Sequence, residues 1–416
     1  MNKVNYFRNR VAEEYDENNL QQAAEVGEAL LREHWHNKNF WTKGYADDLY
    51  NLAIIYDDLG VLERAAELYS DSARQISSVE GEGLEFARRL TGLATVMGRM
   101  GIKEPAFFIH GQVTSICRTE LGNRDPQYAD SLYNLANAAA DTGRRREALR
   151  YHMDALRIRE QAGKTGDVVN SLHSVAFLYE STNEYEKAAA YAEAAMKLSD
   201  DDEESYASSC HYLAGIYEQC SKYEQALPLY DRVLEIAQDK AGREHSVYLN
   251  VAFRRANLLA KMNRPREALE YHEEVLEIFK KISILGESHL FYANCLRNMA
   301  ILHKDLNETG KAEALMLESM KIRSSADEDI VQDIIFLIRL YLNDGESDKA
   351  LEALIYALMR SDSNNTDFAS LVNALSDAFK QPDAINASEI MEAMEALNDK
   401  SKLAPIINKW TNWESK

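Results

Sequence analysis

The chain has 416 residues, 28% of them charged, and its 47 basic against 68 acidic side chains give a formal charge of −21 at neutral pH. Such an acid excess argues against nucleic acid and anionic membranes as partners. Six prolines and 18 glycines in a background rich in Ala, Leu and Glu leave little room for strands or long linkers, and no run nears the roughly 18 apolar residues of a membrane span.

An alanine returns about every forty residues, at Ala24, Ala65, Ala106, Ala148, Ala188, Ala226, Ala268, Ala312 and Ala350. A fixed period of this length predicts a solenoid of small units, each burying its apolar face against its neighbours. The first unit, Val4 to Trp35, reads as a divergent N-terminal cap, because alignment on Ala24 puts Arg8 at a core position and Glu28 where an aromatic belongs. The second carries Leu52-Ala53 and Gly60, and the third Leu93-Ala94 and Gly101, with Pro105 tolerated in the first turn of its second helix.

The fourth unit, Tyr128 to Leu156, is the clearest. Leu132, Leu135, Ala136 and Ala139 share one face of a first helix, Gly143 stops it, and Ala148, Tyr151, His152 and Ala155 form the inner face of a second. The same register returns in Val175-Ala176 with Asn183, Leu213-Ala214, Ala256 with Asn263, Met299-Ala300 with Asn307, and Leu337 with Gly345. After Arg360 the pattern decays into three closing helices, Phe368 to Phe379, Ala387 to Leu397 and Leu403 to Trp413. The expected organisation is therefore all-α: a superhelix of about nine helix-turn-helix units over residues 1–362, with 1–41 divergent, and capping helices over 363–416.

These residues resemble the tetratricopeptide repeats, in the roughly 42-residue variety of kinesin light chains. The resemblance rests on Tyr45-Ala-Asp-Asp-Leu-Tyr-Asn-Leu-Ala53, Asp125-Pro-Gln-Tyr-Ala-Asp-Ser-Leu-Tyr-Asn-Leu-Ala136 and Gly286 to Ala300. It implies that the first helix of each unit lines a concave surface, at the positions 18, 15, 14, 11, 8 and 7 residues before each alanine. In the first two units they offer Glu13, Asp16, Glu17, Asp47, Asp57 and Asp58, alongside Tyr50 and Asn51. From the third unit onward they carry Arg88, Arg99, Arg254, Lys261, Arg297, Lys304 and Arg339, with acids reduced mainly to Asp130, Asp141, Glu180, Glu218 and Asp305, and between them stand Tyr133, Asn134, Asn137, Asn170, His173, His211, Tyr212, Asn250, Asn257, Asn294 and Asn298. Asn offers a donor and an acceptor in one plane, which suits capture of a backbone amide, and Arg forks onto carboxylates. The expectation is a groove for a peptide segment of a protein partner with acidic character.

Other chemistry finds little purchase. His110, His152 and His272 stand four residues after their alanines, where Tyr69 and Tyr230 stand elsewhere, and read as packing residues. His34 and His36 point to opposite sides of a helix. Cys117, Cys210, Cys220 and Cys295 form no Cys-x-x-Cys pair, so neither a disulfide framework nor a metal site is expected. Gly163-Lys164-Thr165 ends like a phosphate-binding loop, but Ile158 occupies the place of its first glycine. No cofactor and no catalysis are expected. Met1 to Tyr15 is charged throughout and lacks an apolar leader core, which with the scattered cysteines predicts a cytoplasmic protein. Trp410 and Trp413 share a helical face and read as part of a cap, or as a tethered ligand for the groove. A ligand-responsive sensor is the second reading, weakened by repeats that begin almost at once.

Overall fold

A computed structural model describes residues 3–38, 41–282, 290–326 and 328–360. The expected closing helices and both C-terminal tryptophans lie outside the described residues. Those described contain 18 helices and no strand. In chain order these are α1 (Lys3–Asp16), α2 (Leu20–His36), α3 (Lys43–Asp58), α4 (Leu62–Glu80), α5 (Leu84–Arg99), α6 (Lys103–Leu121), α7 (Pro126–Asp141), α8 (Arg145–Ala162), α9 (Thr165–Glu180) and α10 (Tyr185–Leu198). There follow α11 (Glu203–Gln219), α12 (Tyr223–Ala241), α13 (Ser246–Lys261), α14 (Pro265–Ile282), α15 (Leu290–Asp305), α16 (Thr309–Ser325), α17 (Val331–Asn343) and α18 (Ser347–Arg360). Packing divides the chain into two compact units, residues 1–216 and 217–416.

Each odd-numbered helix ends in the same way. In the fourth repeat Gly143 adopts φ 78°, its N–H bonds to the Ala140 carbonyl at 2.9 Å, and the Arg144 N–H reaches back to Ala139 at 2.8 Å. This paired closure satisfies carbonyls that the last helical turn would otherwise leave bare. It recurs at Asn18, Gly60, Gly101, Asn183, Ser221, Asn263, Asn307 and Gly345, all with positive φ. Ser221 is the unexpected member, at φ 57°. A serine there pays the left-handed cost that glycine avoids, and the position in the repeat imposes the conformation.

Small residues let the two helices of a pair approach. The recurring alanines are buried to 4% exposure or less, and Ala53, Ala94, Ala136, Ala176, Ala214, Ala256 and Ala300 of the facing helices are buried with them. Gly92 on α5 lies tight against α4 of the preceding repeat: a Cβ there would stand 2.6 Å from the Tyr69 ring.

The turn geometry corrects the register of the first repeat. Asn18 occupies the place of Gly60, and the Ala23 N–H bonds to Asn19 as the Ala65 N–H bonds to Val61, so Ala23 and not Ala24 is the equivalent alanine. The expected departures at Arg8 and Glu28 then disappear. Arg8 falls on the inner face at the place of Tyr50, Gly27 takes the aromatic position of Tyr69, and Glu28 faces outward, where it accepts from the Tyr56 hydroxyl at 3.2 Å and from Arg64 at 2.9 Å.

Candidate functional site

The first helices of residues 3–216 carry a row of polar side chains, and links about one repeat apart stitch part of it together. Tyr15 donates to Asp58 at 2.8 Å, Arg99 pairs with Asp57, and the Ser174 hydroxyl donates to the Tyr133 hydroxyl at 3.0 Å. Arg88 lies over the Tyr50 ring, 4.8 Å from its centroid. At the start of the row Arg8 holds Asp48 with bonds of 2.6 and 2.7 Å, and the buried His34 ring bonds the same carboxylate at 2.8 Å. Asp48 is almost fully buried, so the partly exposed guanidinium supplies the counter-charge that a buried carboxylate requires.

Between α7, α8, α9 and α11 lies a cleft of about 490 Å³, lined by Tyr133, Asn137, Ala140, Asp141, His152, Asn170, His173, Ser174, Phe177, Leu178, Ser208 and Tyr212. A second, of about 330 Å³, adjoins it through shared Asn137 and Asp141 and adds Arg99, Lys103, His110 and Asn134. Together they gather seven of the fifteen residues named from sequence: Arg99, Tyr133, Asn134, Asn137, Asn170, His173 and Tyr212. Among the described residues the side-chain amides of Asn134, Asn137 and Asn170 make no hydrogen bond, and neither does the buried Nε2 of His173. Arg88 and His211 line neither cleft.

Ring packing fixes the walls. The His173 ring meets Tyr212 edge to face at 5.4 Å, and Tyr133 meets His152 likewise at 5.0 Å. The Tyr212 hydroxyl donates to Glu180 at 3.1 Å. Burial pushes His152 down to about 4, with help from Arg159, and lowers His173, so both rings are neutral at pH 7. His110 and His272 are driven down to about 4 by burial as well. His110, His152 and His272 are buried packing residues, as their place in the repeat predicts.

Phe177 was missed in the sequence. It projects from α9 with 59% of its surface exposed, among the amides of the cleft. The signal was present, because Phe177 stands 11 residues before Ala188, at the position that Asn137 and Asn257 hold in their repeats.

In residues 217–360 the other named residues are placed differently. Asn298 donates to Asn257 at 2.7 Å, Asn294 accepts from Arg323 at 3.1 Å, and Lys261 pairs with Glu218 at 3.0 Å. Arg297 lies 2.5 Å from Asp333, a carboxylate 1% exposed that Arg323 also approaches at 3.4 Å. Burial raises the Asp333 carboxyl while the two guanidiniums pull it back down. Arg297 thus neutralises a core acid. Arg254 lies beside the Tyr230 hydroxyl, and the Asn250 amide makes no bond among the described residues.

Among the described residues no group of three or more His, Cys, Asp or Glu gathers as a metal site would, and no helix is long and apolar enough to cross a membrane.

Residues 127–201 and 206–281 match the family model described as tetratricopeptide repeat. No curated protein matches the chain by sequence. Among solved structures, the apo form of RapI is similar at TM-score 0.58 and 16% identity, covering 92% of this chain and 99% of that one. A signal-transduction ATPase with numerous domains and a tetratricopeptide repeat sensor, PH0952 from Pyrococcus horikoshii, is similar at TM-score 0.61 and 14% identity, over 91% of this chain and 54% of that one. A putative kinesin light chain from Podosopora anserina is 22% identical over 49% of this chain and 99% of its own, at TM-score 0.45. At these identities the likeness of the first two is one of fold, an α-solenoid.

Proposed function

From a chain that is a tetratricopeptide-repeat protein, we propose a module for protein–protein interaction that holds an extended segment of a partner across the adjoining clefts of residues 94–212. One observation carries this reading: the amides of Asn134, Asn137 and Asn170 and the Nε2 of His173 are unbonded on one continuous lining. Side-chain amides set along an inner row match the two-point hydrogen bonding of a peptide backbone, and the rings beside them take its side chains.

The finer expectation of an acidic partner has narrower support. Arg99 and Arg297 are engaged by carboxylates of their own chain, which leaves Arg88 and Arg254, each beside a tyrosine. The test is a display selection of random 12-residue peptides on the full chain, followed by titration of the best binder against Asn137→Ala/Asn170→Ala. Loss of binding by about tenfold or more, the worth of one or two hydrogen bonds, supports the reading. Unchanged affinity sinks it.

A ligand-responsive sensor is the second reading. It is favoured only by the fold shared with the repeat sensor of the Pyrococcus protein. Compaction on addition of the selected peptide, seen by small-angle scattering, would bring it forward.

A further inference from the structure

The sign of the charge in the larger cleft points to a ligand class opposite to the one the sequence leads one to expect. Along the ends of the first helices, seven or eight residues before each recurring alanine, charges face one another across successive repeats. Asp57 is answered by Arg99 in the next repeat. Asp141 and Glu180 follow in the next two, and neither has a cation: Asp141 makes no bond or ion pair within the chain, and Glu180 accepts only from the Tyr212 hydroxyl. Asp141 is exposed and lines both clefts.

Glu180 borders the larger cleft through its bond to the lining Tyr212 hydroxyl, and among the described residues no cation lines that cleft to offset either carboxylate. Its two histidines are held neutral by burial. Arg159, the cation over the Tyr133 ring, is spent on Asp130 at 2.7 Å and on the Ser171 hydroxyl at 2.7 Å. Asp141 shares the adjoining cleft with Arg99, which Asp57 engages, and with Lys103, with which it forms no ion pair. A cleft with an acidic edge and an exposed Phe177 face accommodates a long cationic side chain well, because the aliphatic stem packs on the ring while the head meets carboxylate and π-face together.

We infer that the larger cleft takes a Lys or Arg side chain of the bound segment, placed next to a residue that packs on Phe177, with the cation held at Asp141 on the lining and supported by Glu180 behind the Tyr212 hydroxyl. This rests on the peptide-binding reading above and adds the sign of the charge. An acidic segment would set like charges against Asp141 and Glu180 and be rejected.

The probe is the same library of random 12-residue peptides, selected in parallel on the wild-type chain, on Asp141→Asn/Glu180→Gln and on Phe177→Ala. The first variant keeps both shapes and the acceptor for Tyr212, and circular dichroism melts establish that each variant is folded. Wild type is expected to enrich Lys or Arg at a fixed position. The best wild-type binder should weaken about tenfold on the charge variant at low salt, each partly exposed ion pair being worth up to about fivefold, and 0.5 M salt should erase most of the difference. The Phe177→Ala selection should keep the basic position and lose the adjoining preference. Peptides without basic enrichment that still depend on Asn137 and Asn170 would overturn the inference and leave the peptide reading standing. Binders indifferent to Asn137, Asn170 and both carboxylates would overturn both.

Discussion

The two compact units put several of the same inner-face positions to opposite ends. In residues 3–216 the amides of Asn134, Asn137 and Asn170 face open clefts without partners, whereas in residues 217–360 Asn257 and Asn298 bond each other and Asn294 bonds Arg323. Arg297 holds a buried aspartate, while Asp141 holds nothing. A residue type at a repeat position therefore does not fix a role. What fixes it is whether the next repeat supplies a complementary group within reach, and each satisfied pair converts a prospective ligand contact into a brace between repeats.

The largest effect should come from breaking a brace. Arg297→Glu sets a second carboxylate against nearly inaccessible Asp333, and the chain should lose about 3 kcal/mol or more in denaturant unfolding monitored over residues 217–360. Stability equal to wild type would put Arg297 back among residues free to bind a ligand. Gly92→Ala comes next, because its Cβ would overlap the Tyr69 ring, itself only 4% exposed, and about 1–3 kcal/mol should be lost without change in the cap that follows.

Acid should act through the buried histidines. His110, His152 and His272 have folded values near 4 against about 6.5 in the unfolded chain. The unfolded state binds more protons between those values, so the stabilisation is complete above about pH 6.5 and is lost progressively as pH falls toward 4. His152→Phe/His272→Phe should flatten the melting temperature between pH 7 and 5; an unchanged slope would mean that these rings do not govern it.

Asn257→Ala strands the half-buried Asn298 amide and should cost about 1 kcal/mol, whereas Asn137→Ala, at an exposed amide without a partner, should change the melt by less than about 0.5 kcal/mol. Equal costs would erase the contrast between the units. A gain of about 0.5–1 kcal/mol in thermal unfolding is expected of Ser221→Gly, which removes left-handed strain at a serine of positive φ.

Much of the fold was legible because it depends on local residue choice. Alanines that permit close approach and Gly or Asn at the turns repeat visibly, and Leu132, Ala136, Ala148 and Ala155 are buried as their spacing predicts. Ser221 was hidden because serine does not signal a left-handed turn, although it stands five residues before Ala226 as Gly143 does before Ala148. The register of the first repeat slipped by one because Ala23 and Ala24 are adjacent, and only the turn at Asn18 separates them.

The candidate site was legible as positions and not as states. Sequence places Asn134 and Asn298 in one column; it does not tell that Asn298 meets Asn257 across 41 residues, or that Arg297 reaches a buried carboxylate 36 residues on. Such pairings depend on side-chain direction in the neighbouring repeat, which a column of residue types does not encode.

Hydrogen–deuterium exchange with the best selected 12-residue peptide tests the central claim most directly. Exchange should slow over α7 and α9, residues 126–141 and 165–180, with α13 and α15 unchanged. Protection confined to α13 and α15, with α7 and α9 exchanging as in the free protein, would contradict it.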